Sequence, residues 1–135
     1  GNKDKNQWAI AYLEHCVSNL MLKDAAIHNH LLALYAQSSE QKECEKLIEM
    51  LSLPSEKRFF DLSYALRVCS EYKQTKASVL VYSALGLYEE AVDTALSIDT
   101  SLAKVNAEMA PEVDVKKKLW LKIAEHEIKQ ENNEV

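Results

Sequence analysis

The sequence predicts an all-α chain of about eight helices stacked as hairpins, an α-solenoid, and three observations predict it. Two glycines and two prolines in 135 residues leave little of the punctuation that strand-and-turn proteins need, since an average chain carries roughly 12% of the pair. Three threonines and two phenylalanines add little β-former content, which argues against a sandwich or barrel. Apolar residues recur at three and four positions along most of the chain, the period of a one-sided helix. A hydrophobic content of 47% beside 27% charged residues excludes wholesale disorder, and the length suits one domain with a real core.

Each element follows from that spacing. Trp8, Tyr12, Leu13, Cys16, Val17 and Leu20 stripe a first helix over about 5–21. Asp24 can cap a second, striped by Ile27, Leu31, Leu34 and Tyr35. Ser38 or Ser39 can start a third with Cys44, Leu47, Ile48 and Leu51, and Pro54 ends it for want of an N–H donor. Asp61 is placed to cap a fourth, through Leu62, Ala65, Leu66 and Cys69. A fifth runs through Ala77, Leu80, Val81 and Ala84 to Gly86, which suits the left-handed residue that ends many helices. Tyr88, Ala91, Val92, Ala95 and Leu96 make a sixth, and Asp99 caps a short seventh with Leu102, Ala103 and Val105. Pro111 breaks the chain again before a last helix over about 114–130.

The pieces resemble one another. Sliding Tyr35 onto Tyr82 brings Cys44, Ile48 and Leu51 onto Ala91, Ala95 and Ile98, though Leu31 falls on Ser78. Sliding Tyr82 onto Trp120 brings Leu85 onto Ile123. One aromatic per helix pair, followed by a helix of small residues, is the pattern of stacked hairpins, while the uneven shifts leave a compact bundle open. In the last helix, Leu119, Trp120, Leu121, Ile123, Ala124 and Ile128 cover more than one face, which calls for cover on two sides. The expectation is a single solenoid fragment over 1–135, cut from a longer array. Residues 1–6 read as a polar start or expression remnant, and 131–135 as a frayed end. Trp120, Leu121 and Ile128 are the candidate contacts with a neighbouring repeat or a partner, against the alternative that they are internal core.

Charge and chemistry narrow the role. A net charge of −5 gives no phosphate-binding face, and the basic run Lys116-Lys117-Lys118 reads as the solvated side of a helix, so no nucleic-acid partner is expected. Uncharged stretches such as 77–88 are short of the roughly twenty residues a membrane span needs. Cys16, Cys44 and Cys69 are widely spaced small core residues suited to a reducing compartment. There is no P-loop, GxSxG, dinucleotide turn or CxxC pair. His126-Glu127 begins an HExxH pattern, but Gln130 stands where the second ligand belongs. His28 and His30 are two apart and leave a helix on different sides, one packed and one exposed. His15-Cys16 lacks a carboxylate to orient the histidine. Glu89-Glu90 complements the dipole of the sixth helix. The reading is non-catalytic, with no cofactor, metal or small-molecule substrate.

The segment 81–96 resembles the helix–Gly–helix unit of tetratricopeptide and clathrin heavy chain repeats: Gly86 turns the chain, Tyr88 fills the gap, and Ala91 and Ala95 allow close approach. Four wider strings carry a more specific resemblance. They are Tyr64-Ala65-Leu66-Arg67-Val68-Cys69, Leu87-Tyr88-Glu89-Glu90-Ala91-Val92-Asp93, Ala103-Lys104 and Lys117-Lys118-Leu119-Trp120-Leu121-Lys122-Ile123-Ala124. Together with Ala26-Ile27-His28-Asn29-His30-Leu31-Leu32-Ala33-Leu34-Tyr35 they are similar to the vacuolar protein sorting eighteen (deep orange) family, over most of the chain and least over 38–60. That resemblance implies a right-handed solenoid segment of the HOPS and CORVET tethering complexes. The partners it implies are other subunits and SNAREs, on the cytoplasmic side of late endosomes, lysosomes or vacuoles, without direct membrane insertion. The family's β-propeller and RING finger are not expected within this stretch, since three scattered cysteines cannot make a two-zinc RING. The competing reading is a tetratricopeptide-like cradle for a short linear peptide.

Overall fold

Several helix limits fall where breakers and caps put them, while Met21 at φ 56 and Lys73 at φ 55 turn the chain without a glycine. The computed structural model describes residues 2–133, with side chains from residue 5 onward. Gly1, Glu134 and Val135 lie outside the described residues, and with them the outermost parts of the polar start and the frayed end. The helices are α1 (Asn2–Ser18), α2 (Ala25–Gln37), α3 (Gln41–Leu51), α4 (Leu62–Glu71), α5 (Thr75–Ala84), α6 (Tyr88–Leu96), α7 (Thr100–Met109) and α8 (Val113–Asn133). Among the described residues there is no strand, and the element not foreseen is a short 3-10 turn, Ser55–Lys57, directly after Pro54.

Cap chemistry differs among the three aspartates. Asp99 accepts the Ser101 N–H at 2.9 Å, a true N-cap. Asp24 and Asp61 hold the N-cap position of α2 and α4 without a side-chain cap bond. Asp61 instead meets Asn29 of α2, which donates to its carboxylate at 3.2 Å and accepts its backbone N–H at 2.9 Å. Gly86 adopts φ +79, and the Leu87 N–H reaches back to the Tyr82 carbonyl at 2.8 Å, closing α5 as a Schellman turn.

The chain forms two compact units, Gly1–Ala77 and Ser78–Val135. In the first, α2 is central: α1, α3 and α4 all pack on it. Its run Leu31, Leu32, Ala33, Leu34, Tyr35 and Ala36 is buried without interruption, where the periodicity predicts only a stripe. A helix covered from three sides has no wet face to keep polar.

The core face of α1 differs from its predicted stripe. Ile10, Leu13 and Cys16 are buried, whereas Trp8 is 72% and Tyr12 57% exposed, stacked on each other at 5.8 Å. Leu20 is exposed beyond the helix end. With apolar residues on both faces of α1, spacing alone does not rank them; contact with α2 does.

Polar side chains tie the three helices together. The Glu14 carboxylate accepts the Tyr35 hydroxyl and the Lys46 ammonium, each at 2.6 Å, joining α1, α2 and α3 through one oxygen. Burial opposes the charge on Glu14, but the bonds from Lys46 and Tyr35 outweigh it and hold the carboxyl below its usual range. The Tyr35 phenol is pushed up by burial and by the carboxylate it serves. A carboxyl lowered in the folded state contributes stability above its unfolded pKa and loses it as pH falls through the folded value. Glu14→Gln is therefore expected to be less stable than the parent by about 1 kcal/mol at pH 7. That gap should close on acidification below the ordinary carboxyl value of 4.5. Urea titrations at both pH values check this, and a gap that stays constant would remove Glu14 as the source.

The second unit is built on small residues. Val79, Ala91, Val92, Ala95, Ala103, Ala107 and Ala110 form a core with Leu119 and Ile123, flanked by Tyr82, Tyr88 and Trp120. Alanines on both α6 and α7 let those helices approach closely, and α8 closes over them. Buried Asn106 is satisfied by the Leu102 carbonyl at 2.8 Å.

Candidate interaction surface

α8 is long, free of glycine and proline, and anchored on one side. Leu119 and Ile123, one turn apart, are fully buried in the alanine core. Trp120 is half-buried against the same core, and its indole N–H donates to Glu108 of α7 at 2.7 Å. Leu121 and Ile128 point the other way, 65% and 57% exposed. A spacing of seven brings them to one helical face, two turns apart. Trp120 and Leu121 share a shallow depression with Val113, Lys116 and Lys117. The three candidates thus divide: Trp120 serves the core and the depression's wall, while Leu121 and Ile128 are solvent-facing. Val113, Val105 and Met109 are also exposed. Val105 was expected on the apolar stripe of this helix with Leu102 and Ala103, but the buried side of α7 is Ala103, Asn106 and Ala107, which turns Val105 outward.

Charges frame this face. Glu89 accepts Lys122 at 3.1 Å and Lys118 at 3.4 Å, and Lys122 also reaches Asp93 at 2.8 Å, pinning α6 to α8. The bonds from Lys122 and Lys118 hold the Glu89 carboxyl below its usual range, and the bond to Asp93 raises the Lys122 ammonium. Lys116 lies 3.8 Å from Glu108, and Lys104 pairs with Glu127 at 2.9 Å. Two lysines of the basic run are thus engaged by the unit's own acids. These pairs are exposed and screened by solvent, so they orient α8 more than they stabilise it.

Other candidate chemistry is dispersed. His28 is buried, bonded to the Leu22 carbonyl at 2.8 Å and edge-on to Phe59, while His30 is exposed. His15 is exposed and Cys16 buried, so they do not form a dyad. Burial pushes the Cys69 thiol up to about 11, which removes it as a nucleophile at neutral pH. Among the described residues no three His, Cys, Asp or Glu side chains converge on a metal position. Among them, too, no helix is long and apolar enough to cross a membrane.

Residues 1–128 match the model of the family described as VPS18, alpha-solenoid domain, second half. The chain is 44% identical over 135 residues to a zebrafish (Danio rerio) protein named vacuolar protein sorting-associated protein 18 homolog, covering 98% of this chain and 14% of that one. It is 37% identical to the Arabidopsis thaliana vacuolar sorting protein 18, covering 96% and 14%. It is 29% identical to the Schizosaccharomyces pombe vacuolar membrane protein pep3, covering 87% and 13%. The chain therefore spans about one seventh of the length of these relatives.

Proposed function

The chain belongs to the VPS18 family, in the second half of its α-solenoid domain, and from that premise we propose that it is a non-catalytic scaffold segment of a vacuolar or endolysosomal membrane-tethering complex. Its helices hold neighbouring subunits in place so that membranes are brought together and SNAREs assemble. The association with the membrane is peripheral and runs through the complex. The relatives' names, which speak of vacuolar sorting and of a vacuolar membrane, support that setting.

The observation that carries the scaffold reading is the exposed apolar face of α8. Leu121 and Ile128 stand on a helix already anchored by Leu119 and Ile123, so their exposure is not a sign of a loose element. Large apolar side chains displayed on a rigid helix are what partner contacts use, because little entropy remains to be lost on docking. Changing both Leu121 and Ile128 to Asp is expected to alter stability by no more than about 0.5 kcal/mol per site. In the full-length protein the same change should cut co-purification of the other tethering subunits roughly tenfold, a loss of about 1.4 kcal/mol in binding. Undiminished recovery of the subunits would refute α8 as a contact. Trp120→Ala is the less selective test, since it also opens the core.

A further inference from the structure

Both arginines of the chain, Arg58 and Arg67, line one groove at the start of α4, together with Ser55, Asp61, Ser63 and Tyr64. Arg58 is half-buried, and its Nε is shielded from solvent without a hydrogen-bond partner. Arg67 is exposed, with its guanidinium 5.2 Å from the centre of the Tyr64 ring. Among the described residues neither arginine has a carboxylate within ion-pair distance. That is unusual in a chain where acids outnumber bases 21 to 16 and several lysines are paired. Asp61 is the one acid lining the groove, and Asn29 already donates to it. The groove is therefore locally cationic on a protein of net charge −5.

A guanidinium presents a planar fork of donors that matches a carboxylate, and stacking on an aromatic ring holds the fork in place. We propose that this groove binds an acidic peptide segment of a partner protein, whose carboxylates are clamped by Arg58 and Arg67 while the Ser55 and Ser63 hydroxyls supply further donors. A lipid surface is the poorer match. Capture by anionic membranes takes clusters of roughly four to eight basic residues, whereas this groove offers two on an otherwise acidic protein. Nucleic acid needs a longer basic stripe for the same reason.

The test is fluorescence anisotropy of a labelled hexaglutamate peptide titrated with the 135-residue chain at low salt. Arg67 is exposed, so Arg67→Gln should remain folded, as the amide NMR spectrum will report, and should weaken binding about tenfold. Arg67→Lys keeps the charge but not the fork and should lose several-fold. Lys117→Gln, on α8, should bind like the parent. Amide shifts on peptide addition should centre on residues 55–67. The proposal is overturned if Arg67→Gln binds as the parent does, if hexaglutamate does not bind, or if vesicles containing phosphatidylinositol phosphate bind and the peptide does not.

Discussion

Leu32→Ala is expected to lower the stability of the Gly1–Ala77 unit by about 3–4 kcal/mol, the cost of deleting a buried leucine where the surroundings cannot collapse. Leu32 has no exposed surface and lies mid-helix in α2, which α1, α3 and α4 all contact. Any relaxation that filled the cavity would have to shift one of those three helices, and the Glu14, Tyr35 and Lys46 bonds resist such a shift between α1, α2 and α3. The urea midpoint should fall with the slope unchanged, because the exposed area on unfolding is the same. Leu121→Ala, the same chemistry on the open face of α8, should change stability by no more than about 0.5 kcal/mol. A loss under about 1 kcal/mol for Leu32→Ala would show that α2 is not the centre of its unit.

Glu43→Met is expected to raise stability, by about 1–2 kcal/mol. Glu43 of α3 is only 2% exposed; one carboxylate oxygen accepts the Gln7 side-chain amide at 2.9 Å and the other has no partner. A buried polar atom left unpaired costs about 1–3 kcal/mol, more when charged, while an apolar side chain of similar volume removes that cost and keeps the packing. Glu43 also adds negative field beside the Tyr35 phenol, already close to the Glu14 carboxylate. Gln7, half-buried, can turn to water when its partner goes. Glu43→Gln should fall in between, since its amide keeps the shape and the Gln7 contact but still buries donors. Thermal and urea unfolding of the three proteins side by side provide the measurement, and a destabilised Glu43→Met would mean that the carboxylate is better satisfied than its surroundings indicate.

How much was legible depended on whether the signal was local. The helices of the described residues were foreseen largely because many end at a residue whose backbone chemistry stops or starts a helix, although α1 and α4 end before left-handed Met21 and Lys73 rather than at a glycine or proline. Pro54, Gly86 and Pro111 fall at joints, and Asp24, Asp61 and Asp99 stand at N-caps. The family resemblance read from the strings around Gly86 and Trp120 agrees with the family match over residues 1–128. The face of α1 was not legible, since Trp8 and Tyr12 have the same spacing logic as Leu13 and Cys16 and only α2 chooses between them. The split of the candidate contact residues between core and solvent was half legible. Too many apolar residues on α8 announced a second face, but the division of Trp120 from Leu121 and Ile128 depended on where α7 placed Glu108.

Composition and period by themselves determined an all-helical chain, most of its joints, and the small-residue seam at Ala91 and Ala95, because propensity, capping and helical period act over a few residues, whereas the matching seam at Ala103 and Ala107 emerged with the packing. Tertiary structure decided what becomes of each side chain once helices meet. It made α2 a core rather than a stripe, tied Glu14 to Tyr35 and Lys46 across 21 and 32 residues of sequence, and left Arg58 and Arg67 in one groove with no carboxylate partner among the described residues. Those outcomes depend on distances between elements remote in sequence, which no local spacing encodes.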